Sequence, residues 1–217
     1  MVLGIKIIRK AGLTISKPVT FIIILIYLIQ TAGLVYLLYE RGEKDKLLHQ
    51  QEQKIKELEE KLKILKIIED FQVGFDKKEV LELTQVTYAE SKKYSYDPLL
   101  ILALILTESS FRKGEESLLG AQGLMQVKPS VGYDLAKRRG LKWRGALSLF
   151  EPSFNIKLGA LYLFELILKF KDVKKAIIAY NLGENALRLR IKSGGKLPTY
   201  FLAKVLKKYK ELKEKYE

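Results

Sequence analysis

Apolar residues follow three different rhythms along this chain. Residues 19–39, VTFIIILIYLIQTAGLVYLLY, contain no charged side chain. As a helix rising about 1.5 Å per residue they extend roughly 30 Å, the depth of a bilayer's hydrocarbon layer. Residues 43–70 are instead Lys, Glu and Gln with sparse apolar positions. Leu48, Ile55 and Leu62 recur one heptad apart, with Gln51, Leu58 and Leu65 between them. Two readings stand: a parallel coiled coil that pairs two copies of the chain, or a lone helix packed on the downstream domain. Gly74 breaks the helical pattern within residues 70–77. Beyond it strand alternation is absent, and helices are predicted at 78–92, 98–110, 121–138, 154–170, 172–181, 184–191 and 199–213. Asp97 followed by Pro98 is an N-cap with proline at the first helical position.

The pattern divides the chain into an N-terminal segment (1–17), a transmembrane anchor (18–39), a helical or coiled-coil stalk (40–74) and an all-α domain (75–217). Lys6, Arg9, Lys10 and Lys17 precede the apolar run with no acid among them, whereas Glu40 to Lys46 mix both signs. That bias places the N-terminus in the cytoplasm and the rest outside the membrane. A cleaved signal peptide is the rival, with a small-residue site near Ala32 or Gly33. The apolar run continues past it to Tyr39, which favours an uncleaved anchor.

Composition narrows the chemistry. Of the 217 residues, 39 are Lys or Arg and 25 are Asp or Glu, a formal net charge of +14. Such a balance suits an anionic partner, but no nucleic-acid motif accompanies it, and none is expected to bind. There is no Cys and one His, His49, in a polar stretch. A metal centre, a cofactor site or a Ser-His-Asp arrangement is therefore not expected. Carboxylates, amides and hydroxyls must carry the chemistry.

Glu108 is the carboxylate that stands out. It ends the run DPLLILALILTESSF, and Ile105, Leu104 and Ile101 share its helical face. Such a face desolvates the carboxyl and raises its pKa toward the range of a general acid. A surface Glu closing a core helix is the plain alternative. Downstream, GAQGLMQ at 120–126 supplies glycine turns and the amides of Gln122 and Gln126, which suit a hydroxyl-rich sugar. In KKAIIAYNLGENAL, Tyr180 and Asn181 end an apolar helix before Gly183, although Asn181 also fits a helix C-cap. The cluster AKRRGLKWRG at 136–145 suits either an anionic polymer or simple solubility. Its Trp143 can stack on a sugar or pin a loop.

Taken in order, Glu108-Ser109 with Phe111, GAQGLMQ with Pro129, and AYNLG at 179–183 resemble the catalytic domain of the soluble-type lytic transglycosylases, which have the lysozyme-like fold. YAESKKYSYDPLLILALILTESSF, FEPSFNIKLGALYL and YFLAKVLKKY resemble other parts of it, so the likeness covers about residues 80–210. It implies cleavage of the β-1,4 bond between N-acetylmuramic acid and N-acetylglucosamine in peptidoglycan, forming 1,6-anhydromuramoyl ends. It makes Glu108 the sole catalytic acid and base. It places Ser117, Met125, Gln126, Tyr180 and Asn181 against the substrate, with Gln122 at a more variable position. The family's last tyrosine position falls on Phe201 with Tyr200 adjacent: either the register slips by one and Tyr200 meets the substrate, or the hydroxyl is absent there. Lys128 and Leu118 stand where the family has methionine and proline. An ordinary glycosidase uses two carboxylates; Glu115, Glu116 and Asp134 are the candidates for a second. The implied setting is a single-pass protein of the inner membrane with its catalytic domain outside the cytoplasm, glycan strands as partner, and a homodimer if the stalk pairs. Rival readings are a goose-type hydrolytic lysozyme, an inactive membrane-tethered wall-binding protein and a coiled-coil adaptor.

Overall fold

Local chemistry opens the helices. Asp76 accepts from the Glu79 amide at 2.8 Å while the Glu79 carboxylate accepts from the Asp76 amide at 3.0 Å, a reciprocal capping box. Asp97 accepts from the Leu99 amide at 2.9 Å, and Asp172 from the Lys175 amide at 3.1 Å. In a computed structural model that describes residues 16–216, the helices are α1 (Lys17–Phe71), α2 (Lys77–Tyr94), α3 (Pro98–Glu108), α4 (Pro129–Arg138), α5 (Pro152–Phe170), α6 (Val173–Leu182), α7 (Glu184–Lys192) and α8 (Tyr200–Tyr216). A 3-10 turn, Ala146–Phe150, leads into α5. The architecture is all-α. The basic residues Lys6, Arg9 and Lys10 lie outside the described residues.

The chain forms two units, Met1–Ile55 and Lys56–Glu217. In the first, α1 is the one helix among the described residues long and apolar enough to cross a membrane. Its large apolar side chains from Val19 to Tyr39 are exposed, an arrangement that water does not tolerate over such an area. Ion pairs between Lys44 and Glu40 (2.7 Å) and between Lys46 and Glu43 (2.8 Å) lace the polar continuation, as neighbours three and four apart on a helix do. The heptad residues Leu48, Ile55, Leu58 and Leu62 are exposed in the single chain.

The second unit begins at Lys56, whereas the sequence pattern places the domain boundary at residue 75. Ile64, Ile67 and Ile68 at the end of α1 are fully buried in the same core as α3. Lys92 of α2 meets Glu60 at 2.6 Å, and Lys215 of α8 meets Asp70 at 2.9 Å. The residues from Lys56 to Phe71 are thus part of the domain, and a separate stalk over 40–74 is not resolved. At the centre runs α3, buried from Ile101 to Leu106 on every side. It packs chiefly on α8, while α5 packs on α6 and α2. A helix without a polar face needs such enclosure.

One predicted helix starts late. The stretch 121–138 is helical only from Pro129. Gly123 and Gln126 have φ of 77° and 48°, and a residue preceding proline avoids the helical region; Lys128 is accordingly extended, at φ −71° and ψ 140°. The seven residues before it form tight turns instead, and those turns build the site.

Candidate active site

The end of α3 is fixed by the residues just after Glu108. Ser109 donates its hydroxyl to the Ile105 carbonyl at 3.1 Å, and its amide donates to the same oxygen at 2.9 Å. Ser110 and Phe111 then turn the chain through positive φ (52° and 56°). Phe111 is fully buried, and its carbonyl accepts from the Val73 amide at 3.0 Å. Packing and pairing together hold these two left-handed residues, which ordinarily cost about 1–2 kcal/mol each. Glu108 therefore stands on a clamped helix end.

It faces a cleft of about 290 Å³ that Ser117, Gln126, Lys128, Tyr162, Tyr180 and Asn181 also line, with Leu119, Ala121, Val127, Val131, Leu182 and Gly183. Burial pushes the Glu108 carboxyl up from 4.5 to about 8. Among the described residues no hydrogen bond or ion pair offsets that burial. Tyr180 is more deeply buried, and burial followed by the Glu108 charge raises its pKa further. Its hydroxyl donates to the Met125 carbonyl at 2.8 Å, so only its acceptor capacity remains.

The loop wall is organised by a fully buried amide, Asn155 of α5. Its Oδ1 accepts from the Met125 amide at 2.7 Å. Its Nδ2 donates to the Gln122 carbonyl at 2.8 Å and the Leu149 carbonyl at 2.9 Å. A side chain added at Gly123 would strike Asn155 Nδ2 and the Leu149 oxygen at 2.4 Å. One added at Gly159 would strike the Met125 sulfur at 2.5 Å and the Tyr180 hydroxyl at 2.9 Å. Both positions must be glycine for loop and helix to close on each other. The Ser117 hydroxyl accepts from the Ala121 amide at 3.0 Å, and Gln126 donates to the carbonyls of Gly123 (2.9 Å) and Glu115 (3.2 Å). Replacing Asn155 with Ala takes the partner from the buried Met125 amide and the Leu149 carbonyl, while the Gln122 carbonyl keeps the Val127 amide at 3.0 Å. We expect a loss of about 3 kcal/mol of stability, read as a lower urea midpoint with an unchanged slope.

Of the residues singled out in the sequence, Glu108, Ser117, Gln126, Tyr180 and Asn181 meet at the cleft. Asn181 is exposed there, while Gly183 closes α6, its amide donating to the Ala179 carbonyl. Met125 is wholly buried and contributes only through its backbone. Gln122 is buried and donates to Glu116 at 3.2 Å. The structure does not bring Tyr200 to the cleft: it is 74% exposed, with the Lys204 ammonium 4.6 Å from its ring centre. Phe201 packs on the core. Trp143 pins its loop, edge-on to Tyr133 at 6.1 Å.

Tyr162, which lines the cleft, and Asn155, which holds its loop wall, are residues that the pattern along the chain does not single out. Both sit on α5, and the one available signal is a polar group within an otherwise apolar helix, which has to find a partner. Tyr162 tilts against Tyr180 with ring centres 5.1 Å apart. Among the described residues lining the cleft, Glu108 is the only carboxylate. Glu115 and Glu116 are outside that lining. Asp134 lines an adjoining recess of about 530 Å³, where Glu165 pairs with Arg138 (2.9 Å) and Arg139 (3.1 Å), and Glu184 with Lys169 (2.6 Å). No group of three or more Asp, Glu or His among the described residues is placed to hold a metal ion.

Comparison with known proteins bears on this geometry. The family model described as "Transglycosylase SLT domain" matches residues 85–203. A transglycosylase of Enterobacteria phage PRD1 is 35% identical over 97 residues, covering 45% of this chain and 33% of that protein. Membrane-bound lytic murein transglycosylase C of Mannheimia succiniciproducens is 38% identical over 107 residues, 45% of this chain and 30% of its own. The endo-type membrane-bound lytic murein transglycosylase A of Klebsiella pneumoniae is 39% identical over 90 residues, 40% and 43%. The chain thus spans about a third of the length of the first two relatives. The solved lytic transglycosylase Slt of Pseudomonas aeruginosa aligns with a TM-score of 0.47 at 25% identity, over 59% of this chain and 22% of that one.

Proposed function

The chain belongs to the transglycosylase SLT domain family, and from that premise we propose that it cleaves the glycan of peptidoglycan between N-acetylmuramic acid and N-acetylglucosamine, leaving 1,6-anhydromuramoyl ends. The observation that carries this reading is a lone, largely protonated carboxyl in the cleft. Glu108, with its pKa near 8, holds its proton at neutral pH and gives it to the leaving glycosidic oxygen as the bond to the muramoyl C1 breaks. The carboxylate then takes the proton of the C6 hydroxyl, whose oxygen closes on C1 of the same sugar. One group serves twice, no water is consumed, and the internal nucleophile gains the rate advantage of proximity. A hydrolytic route would call for a second carboxylate to activate water or to attack C1, and the cleft lining offers none among the described residues. Mass analysis of the sugar ends released from purified wall tests the choice: anhydro ends are expected, and reducing muramic ends would overturn it.

Ser117, Gln126 and Asn181 offer hydroxyl and amide groups for the sugar hydroxyls and N-acetyl groups. Tyr180 and Tyr162 form an aromatic floor. The apolar stretch of α1 anchors the chain in a membrane, a role supported by its length, its exposed apolar surface and the membrane-bound relatives. The basic N-terminal flank favours a cytoplasmic N-terminus and a catalytic domain on the far side, where the glycan lies.

The raised pKa has a signed consequence. An ionised Glu108 donates nothing, so activity should fall as the pH rises through about 8. Stability follows the same direction. Between 4.5 and about 8 the folded chain keeps a proton that the unfolded chain has released. This contribution to stability is complete below 4.5 and is lost as pH climbs through the folded value. Glu108→Gln removes the titration, so that variant should be more resistant to heat than the parent at pH 8, with a smaller difference at pH 5. Thermal unfolding at the two pH values checks this.

A further inference from the structure

Lys128 and Glu108 are the only Asp, Glu, Lys, Arg or His among the described residues lining the cleft. Lys128 is exposed and extended just before α4. Among the described residues no carboxylate pairs with it, although other lysines of the same unit are engaged: Lys113 meets Glu79 at 2.5 Å and Lys169 meets Glu184 at 2.6 Å. A lysine in the lining of a cleft, with no carboxylate partner among the described residues, is a charge available to a ligand.

We infer that Lys128 is a specificity-determining residue that reads a carboxylate carried by the muramoyl side of the glycan. The inference rests on the proposed reading of the cleft as a glycan site. Two sources share the required chemistry. A stem peptide linked to the muramoyl lactyl group bears carboxylates of its own, and a peptide-free strand exposes the lactyl carboxylate itself. The neutral N-acetylglucosamine unit bears neither. A lysine in this wall therefore distinguishes the two sugars by charge, where the hydroxyls and amides beside it meet similar groups on both.

Binding can be measured apart from turnover, using the full-length chain in detergent with Glu108→Gln as background. Titration calorimetry would compare Lys128, Lys128→Met and Lys128→Arg against soluble stem-bearing fragments, peptide-free fragments and the carboxyl-amidated form of each. Lys128→Met is expected to weaken binding about fivefold for a carboxylate-bearing fragment, with the loss shrinking as salt is added. Lys128→Arg should retain most of the affinity, and amidation should abolish the difference between Lys128 and Lys128→Met. A penalty confined to stem-bearing fragments assigns the stem carboxylate, and one confined to peptide-free fragments assigns the lactyl group; either supports the inference. An equal penalty on acid and amidated forms, or none on any fragment, overturns it. Failure of the catalytic reading looks different: a parent chain that binds fragments with this charge dependence yet releases no anhydro ends keeps the Lys128 assignment and loses the reaction.

Discussion

Replacing Glu108 with Gln should lower the release of anhydro sugar ends by about a thousandfold, the scale of losing a positioned general acid that also acts as the base. The amide nearly matches the carboxyl in size, so α3 and its clamp at Ser109, Ser110 and Phe111 should remain in place. Glu108 receives no hydrogen bond or ion pair among the described residues, so the substitution orphans no partner. A lost rate with a preserved fold is the specific expectation: thermal unfolding at pH 5 should change little, and fragment binding should persist. Wall solubilised by the variant at the parent rate would remove Glu108 from the mechanism. A variant that loses activity by unfolding would instead make Glu108 a structural residue. The pH dependence adds a second constraint. The activity limb near pH 8 belongs to the same carboxyl as the stability change, so both should disappear with one substitution.

A chain that begins at residue 75 should be far less stable than one that begins at Lys56. The shorter chain lacks Ile64, Ile67 and Ile68, at 1%, 0% and 0% exposure. Each fully buried side chain of this kind contributes about 1.5–3 kcal/mol, so their removal costs about 5 kcal/mol or more. That is comparable with the whole margin of a typical domain, about 5–15 kcal/mol. Truncation also strips Lys92 and Lys215 of the carboxylates of Glu60 and Asp70, although exposed pairs add little. It opens the core beside α2 and α8 to water. The expected result is a sharp unfolding transition for residues 56–217 and a lowered or uncooperative one for residues 75–217. Equal melting temperatures would show that the end of α1 is dispensable. For assays of the isolated domain, the longer piece is the appropriate one.

How far the sequence reaches depends on whether a signal is local. Helix starts at Asp97-Pro98 and the apolar face before Glu108 are legible because capping and periodicity act within a few residues. So is the apolar run from 19 to 39, whose length alone meets the bilayer test. The extent of the heptad region was not legible. Leu48, Ile55 and Leu62, with Leu58 and Leu65, read equally well as a seam for a second copy and as a face buried on the domain, whereas the residues the domain buries there, Ile64, Ile67 and Ile68, lie off that heptad. The late start of α4 depended on turns at Gly123 and Gln126 that make sense only with Asn155, more than two dozen residues away in sequence, filling the space behind them.

Neighbouring residues were enough to specify an all-α domain, a carboxyl destined for a dry setting, and the ordered blocks that resemble its family. They were enough because periodicity, caps and motif spacing are local in the sequence. The tertiary structure alone decided which of those residues share a cleft. Packing α5 against the 121–127 turns buries Met125, turns Gln122 inward, brings Tyr162 to Tyr180 and leaves Tyr200 outside. It also decided that, among the described residues, Glu108 has no second carboxylate beside it in the lining and that Lys128 does stand there. Those outcomes arise from the approach of distant segments, where burial and the exclusion of neighbours set each side chain's chemistry.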